Sequence, residues 1–396
     1  MPITSHYQPI VSLAHRRVVG YEALLRAKAA NGEFCSPLDA FAQAKSENRL
    51  EQFDRLCLSS HLRHFMPIRK PDQWLFVNLN SETIHPRNQR AELISRRLAG
   101  LQLRPQNIVL EILENAAHNA DQLKQFVEHY RQAGFLIAID DFGTGHSNFD
   151  RLWELKPHIV KLDRSMLLNA RHDAGRQRWL ARCIALVRET GAIIIVEGVE
   201  TRDDALLALD SDADLAQGFY FAKPSANGQH NQAWLLDELQ RLHHCSLSSQ
   251  SERQRLHTEK KLSLKNMVLE AAHAISQHVD FELATAQLLQ HIAVERLYLL
   301  NSDGIQIVES LIASHAKQDT SLTYAPLSRS DGALWARRAY FRNAIDYPEQ
   351  VHLSSPYIGL PNANLNITLS KALCYAQTQG KYVLCVDINA NFLNDQ

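Results

Sequence analysis

The sequence predicts an α/β protein, a (β/α)8 TIM-like barrel followed by a smaller α+β domain. Three observations predict it. From about residue 70 to 225, short apolar runs alternate with amphipathic helical segments. The runs scarcely alternate in polarity, so they are strands covered on both faces, as in a parallel sheet. The unit recurs over a length that suits a closed barrel, and no G-x-G-x-x-G follows a first strand, which argues against a dinucleotide fold.

The strands are expected at 74–79 (WLFVNL), 107–112 (NIVLEI), 135–140 (FLIAID), 158–163 (HIVKLD) and 192–198 (AIIIVEG). Between them, 120–134 places Leu123, Phe126, Val127, Tyr130 and Ala133 on one helical face and stops at Gly134. Residues 175–191 do the same with Trp179, Leu180, Cys183, Ile184 and Val187 and stop at Gly191. Composition shifts after about residue 245. The stretch 246–265 is serine-rich and charged and reads as a linker or the solvated start of a helix. Helical patterning follows, then two strands in 296–311 turning at Asp303-Gly304, and a further strand in 381–393. The expected division is 1–244, a barrel; 245–270, a linker or helix; and 271–396, a smaller α+β domain.

The chain has 396 residues, 45% hydrophobic and 21% charged, with a formal net charge of −1. No global field draws it to a nucleic-acid polymer or to anionic lipid, so an anionic ligand must be held by local cations or metals. No apolar run is long enough to span a bilayer, and no secretory leader is apparent. Six scattered cysteines without a C-x-x-C pair read as reduced thiols of a cytoplasmic protein. Nineteen histidines without H-x-H or H-E-x-x-H spacing argue against a zinc site.

Glu22, Asn78, Glu111, Asp140, Asp141, Lys161 and Glu197 all fall at or near the C-terminal ends of expected strands. In a barrel those ends converge on one mouth, where catalytic groups sit. So many acids in one place are intolerable without cations. Oxygen ligands without thiolate or imidazole favour Mg²⁺ or Mn²⁺, and two such ions form a device for hydrolysing phosphate esters. Asp140-Asp141 alone could equally be a helix N-cap pair, and Lys161 alone a snorkelling surface lysine.

Residues 1 to about 244 resemble the EAL domain, the cyclic-di-GMP phosphodiesterase family. The motifs are YEALLR (21–26), FVNL (76–79), LEILE (110–114), IDDFGTG (139–145), VKLD (160–163), VEGVET (196–201) and QGFYFAKP (217–224), in that order. The resemblance implies hydrolysis of cyclic di-GMP to linear pGpG by two Mg²⁺ or Mn²⁺ ions, with Ca²⁺ inhibitory. It implies that Glu22, Asn78, Glu111 and Asp140 hold one metal, and that Asp140 bridges to a second, held also by Asp141 and Glu197. Lys161 would stand beside the hydrolytic water, with Glu197 as a proton acceptor. Gln217 would join the substrate and water network and Arg26 would grip a phosphate. Leu25, Asp163 and Pro224 would line the nucleotide, while Glu114 and Glu200 would hold the loop after Asp141. A homodimer through that loop and the following helix, about 146–155, is expected. Some members bind cyclic di-GMP without cutting it, having lost metal ligands or the lysine; here every such position is filled.

The C-terminal segments ARRAYFRNAI (336–345), VHLSSPYIG (351–359) and YVLCVDI (382–388) resemble a Cache or PAS-like sensory module. That resemblance implies a small-molecule pocket near Arg338, Tyr340, Tyr357 and Asp387. Arg337 and Arg338 read equally as a solvated helix face, and Cys374 and Cys385 as small buried hydrophobes.

Overall fold

The structure is a computed structural model, and it describes residues 2–28, 33–80, 90–113, 120–144, 149–318, 330–359, 364–374 and 380–394. Two compact units divide the chain, Met1–Leu247 and Ser248–Gln396.

The first unit is a closed eight-stranded barrel. Strands β1 (Ile3–Ser12) and β2 (Arg17–Lys28) form an antiparallel hairpin. A two-residue strand β3 (Phe34–Cys35) adds to the outer edge of β2. From β2 the ring runs through β4 (Trp74–Asn78), β5 (Ile108–Leu113), β6 (Leu136–Phe142), β7 (Ile159–Leu162), β8 (Ile193–Val196) and β9 (Leu215–Ala216), all parallel. It closes where β9 pairs antiparallel with β1. The strands expected between about residues 70 and 225 are parallel, and the antiparallel β1 lies outside that stretch. Only four residues separate β1 from β2, enough for a hairpin and far too few for a parallel crossover.

Helices cover the barrel. The expected helix at 120–134 forms over Ala120–Gln132 and buries Leu123, Phe126, Val127 and Tyr130; that at 175–191 forms over Ala174–Arg188 and buries Leu180, Cys183, Ile184 and Val187. Trp179, expected on the buried face, is exposed. Inside the barrel, Ile10, Phe76, Val109, Ala138, Ile159, Ile195 and Leu215 touch one another as a separate buried cluster, one residue from each of seven strands.

Residues 245–270 lie within one helix, Gln232–Ser276, which passes from the first unit into the second. The second unit is an antiparallel sheet of β10 (Val294–Leu300), β11 (Leu311–Ile312), β12 (His352–Leu353), β13 (Tyr357–Ile358), β14 (Leu365–Cys374) and β15 (Lys381–Asn389), ordered β11-β10-β15-β14-β12 with β13 also on β14. The expected hairpin around Asp303-Gly304 turns as predicted. Its return arm makes only an isolated bridge, Leu300 to Gln306, before the two-residue β11.

On the barrel's outer layer, the buried Asp204 accepts Arg171 Nε at 2.7 Å and Nη2 at 2.8 Å, and the backbone N–H groups of Glu200 and Thr201 at 3.0 and 2.9 Å. Asp204→Ala strands the guanidinium and both N–H groups, so it should destabilise the barrel by about 3 kcal/mol. Urea titration checks this; a loss under about 0.5 kcal/mol would be that of an ordinary surface site.

Candidate metal centre

A strand in a barrel wall points alternate side chains inward. The residue two positions on from each member of the interior cluster is therefore the next layer towards the mouth. From Phe76 it is Asn78, from Val109 Glu111, from Ala138 Asp140, from Ile159 Lys161, from Ile195 Glu197 and from Leu215 Gln217. On β1, which runs the other way, Ile10 leads back to Gln8. On β2, Gly20 leads to Glu22, and a Cβ at Gly20 would strike the Trp74 carbonyl and Phe76. One apolar layer thus carries one polar layer on its C-terminal side. Glu22 stands in the middle of β2, not at its end, because that strand continues to Lys28.

Asp141 breaks the alternation. In a regular strand it would point away from Asp140. The β6–β7 register shifts between Ile139 and Phe142, and Asp141 takes a left-handed φ of 56°. Its N–H donates to Asp140 Oδ1 at 3.1 Å. The bulge turns both carboxylates to the mouth, where oxygens of Asp140, Asp141 and Glu197 come within 4.8 Å of one another. Gly143 then turns the chain with φ +108°, and a Cβ there would overlap Met166.

The Lys161 ammonium lies under this layer, 1% exposed, 2.7 Å from Glu111 Oε1, 2.7 Å from Glu197 Oε1, 3.0 Å from Asp140 Oδ1 and 3.8 Å from Glu22 Oε2. Burial alone would lower its pKa, but Glu111, Glu197, Glu22 and Asp140 outweigh that and hold it well above the ordinary lysine value. Burial raises Glu111 well above the carboxylate range, against the pull of Lys161. Burial likewise pushes Glu197 up to about 8 despite Lys161, helped by the charges of Asp140 and Glu22. Asp141 is raised by burial and then by Asp140 and Asp163. Glu22 accepts Gln217 Nε2 at 2.6 Å and Asn78 Nδ2 at 3.1 Å. Gln217 Nε2 also reaches Gln8 Oε1 at 3.3 Å.

These residues fit a divalent cation. Among the described residues, both buried Glu111 carboxylate oxygens lack a well-directed hydrogen bond, and Gln217 Oε1 finds no donor. Lys161 approaches Glu111 Oε1 closely but leaves Oε2 to no donor. Four carboxylates lie within 3.8 Å of one ammonium, and all the available donors to a metal are hard oxygens.

Around this layer the other expected residues are placed as follows. A cleft of about 210 Å³ is lined by Gln8, Glu22, Glu197, Gln217, Arg164 and Phe219, among others. Leu25 is buried and Arg26 half-buried, its Nη1 donating to the Leu25 carbonyl at 3.0 Å. Asp163 caps the helix Arg164–Ala170, accepting Ser165 N–H at 2.9 Å. Pro224 is half-buried beside β1, next to the Tyr7–Ser225 bridge. Glu200 pairs with Arg164 at 3.0 Å. Glu114 and the loop at 145–148 lie outside the described residues. Gln8 and Arg164 were not anticipated. An amide within the apolar strand YQPIV was the available signal for Gln8; Arg164 carried none.

In the second unit Asp387 is fully buried. Its Oδ2 accepts Arg296 Nε at 2.6 Å, and its Oδ1 accepts the hydroxyls of Tyr357 and Thr368 at 2.9 and 2.8 Å. Tyr298 donates to the Tyr340 hydroxyl at 3.1 Å. The Arg338 guanidinium lies 5.6 Å from the Tyr357 ring centroid and 5.9 Å from that of Trp335. The structure thus gathers Arg338, Tyr340, Tyr357 and Asp387 on one side of the sheet. It adds Arg296, whose spacing from Tyr298 in VERLYLL was the missed sign of a shared face.

Residues 3–224, more than half of the chain, match the EAL domain family, and the chain belongs to that family. It is 29% identical over 221 residues to the cyclic di-GMP phosphodiesterase PdeF of Escherichia coli, covering 55% of this chain and 29% of PdeF. It spans less than half the length of several such curated relatives. The EAL-domain containing protein YkuI of Bacillus subtilis is 25% identical over 349 residues, 86% of this chain and 83% of YkuI. The YkuI crystal structure with c-di-GMP and calcium shares the fold, with a TM-score of 0.80 at 22% identity over 100% of this chain and 96% of that one. Klebsiella pneumoniae BlrP1, solved with manganese and cyclic di-GMP, gives a TM-score of 0.53 at 26% identity over 58% of this chain and 57% of that one.

Glu197 sets a pH dependence. Its folded-state value, about 8, lies above the unfolded value of about 4.3. Its contribution to stability is complete below the unfolded value and is lost as pH rises through about 8. In EDTA the barrel should therefore lose stability between about pH 4.5 and 8, and Mn²⁺ binding should tighten over the same interval because ligation requires the carboxylate. Thermal melts and Mn²⁺ titrations across that range check both trends; stability that rose with pH in EDTA would contradict them.

Proposed function

We propose that the protein is a cyclic-di-GMP phosphodiesterase, hydrolysing one phosphodiester bond to give linear pGpG with two Mg²⁺ or Mn²⁺ ions. The observation that carries this is the complete polar layer at the barrel mouth, with Glu111 buried and short of donors. Glu22, Asn78, Glu111 and Asp140 would hold one ion, and Asp140, Asp141 and Glu197 the other. The ions would polarise phosphoryl oxygens and supply a water of low pKa.

Lys161 would orient that water and take up charge developing on the phosphate. Glu197 is the proton acceptor, and Gln217 and Gln8 fix its neighbours through their amides. Arg26 meets a substrate phosphate, and Leu25, Asp163 and Pro224 line the nucleotide. Glu200 would help hold the chain after Asp141. Calcium, with its looser coordination and longer bonds, should inhibit.

The exposed Phe149 and Trp153 on the helix Phe149–Leu155 support a homodimer formed through that region. The Arg338, Tyr340, Tyr357 and Asp387 cluster supports a Cache or PAS-like unit that takes a small molecule and regulates the barrel. All six cysteines are free, and among the described residues no helix is long and apolar enough to cross a membrane. Both facts accord with a cytoplasmic location.

Turnover of cyclic di-GMP with Mn²⁺, followed by pGpG release, tests the activity. Glu22→Ala should lower it by at least about a thousandfold, and Ca²⁺ in place of Mn²⁺ should stop it. Tight binding of cyclic di-GMP by the intact protein without pGpG would make it a receptor instead.

A further inference from the structure

The Lys161 ammonium nitrogen lies within 3.0 Å of three carboxylate oxygens, on Glu111, Asp140 and Glu197. The same three carboxylates are among those that would hold the two cations. A carboxylate oxygen can ligate a cation and still accept a hydrogen bond, so the rivalry is one of charge: either ion would lie within a few ångströms of a buried ammonium, where like charges repel strongly.

The other donors to the layer are different in kind. Asn78 and Gln217 reach Glu22 through amide nitrogens. Turning the amide over exchanges nitrogen for oxygen, so each of these side chains can face a carboxylate or a cation. Lysine has no acceptor to present, so it can meet a cation only as a like charge. We propose that Lys161 is a built-in counter-ion that competes with divalent cations for Glu111, Asp140 and Glu197, so that metal binding displaces its ammonium and the lysine sets the metal affinity of the site.

The arrangement has a use. Lys161 joins the ends of β5, β6 and β7 to the residue after β8 through one charged group. It holds carboxylates together that would otherwise repel. It also makes the site respond to the free concentration of divalent cation, because each ion must win its ligands from an internal rival. The displaced ammonium, tethered beside the ions, is left facing the cleft, where the proposed hydrolysis requires it. This inference rests on the two-cation reading of the site.

The test is Mn²⁺ binding and stability in the full chain, independent of turnover. Lys161→Met removes the charge and keeps much of the stem. It should tighten Mn²⁺ binding, read from the loss of the free-ion electron paramagnetic resonance signal, by at least about tenfold. It should also lower the melting temperature in EDTA and enlarge the rise produced by Mn²⁺ beyond that of the wild type. Binding equal to or weaker than wild type would overturn the proposal. Should the variant fold only with metal, that too is the expected direction. Should it fold under neither condition, the wild type decides through its lysine ammonium resonances. One that is protected from exchange in EDTA should lose protection when Mg²⁺ saturates the site, and an unchanged resonance would overturn the proposal. A wild type that binds no Mn²⁺ would instead sink the cation reading itself.

Discussion

The concentration of carboxylate charge at one end of a closed barrel governs the rest of this structure. Glu22, Glu111, Asp140 and Glu197 each bring an oxygen within 3.8 Å of one ammonium, that of Lys161, and Asp141 adds its carboxylate beside Asp140 and Glu197. Such a cluster costs folding free energy, because burial and mutual repulsion both disfavour ionised acids. The barrel tolerates it by placing it directly above a packed apolar layer, and by giving each strand one inward residue to contribute. The raised Glu111 and Glu197 values measure the same cost from the side of the protons. A site under that electrostatic load is ready to exchange protons and an ammonium for divalent cations.

The parallel strands make the convergence possible, and the departures from ideal strand geometry make it chemical. Without the bulge at Asp140-Asp141, one aspartate would face the helical layer and the acidic cluster of Asp140, Asp141 and Glu197 would lose a member. The hairpin of β1 and β2 has a comparable effect at the other side of the ring. It sends Gln8 and Glu22 to the mouth from strands of opposite direction, and Gln217 bridges them through one amide nitrogen.

Much of this was legible in the sequence because apolar strands with a polar residue at a fixed end are a local signal. The identity of the layer could be read from Phe76-x-Asn78, Val109-x-Glu111, Ala138-x-Asp140, Ile159-x-Lys161 and Ile195-x-Glu197, whereas Gln217, after the two-residue strand Leu215–Ala216, came only through the family resemblance. Gln8 escaped because a strand running the opposite way reverses the order, and strand direction is set by pairing rather than by local pattern. The inward turn of Asp141 needed a register shift, which depends on β7 as well as β6. Arg164 and Arg296 depend on partners 36 and 91 residues away, Glu200 and Asp387, and no short-range pattern announces such pairs. The stretch 245–270 read by composition as a linker or a helix, and it is helix, its serines and charges on a surface with few buried positions where solvent accepts them.

Anomalous scattering from crystals grown with Mn²⁺ and cyclic di-GMP would test the central claim most directly. The account predicts two manganese peaks at the barrel mouth, one among Glu22, Asn78, Glu111 and Asp140 and the other beside Asp141 and Glu197, with the Lys161 ammonium withdrawn from the carboxylates. A mouth without manganese, with Lys161 still bound to Glu111, Asp140 and Glu197 while the nucleotide lies elsewhere, would contradict it.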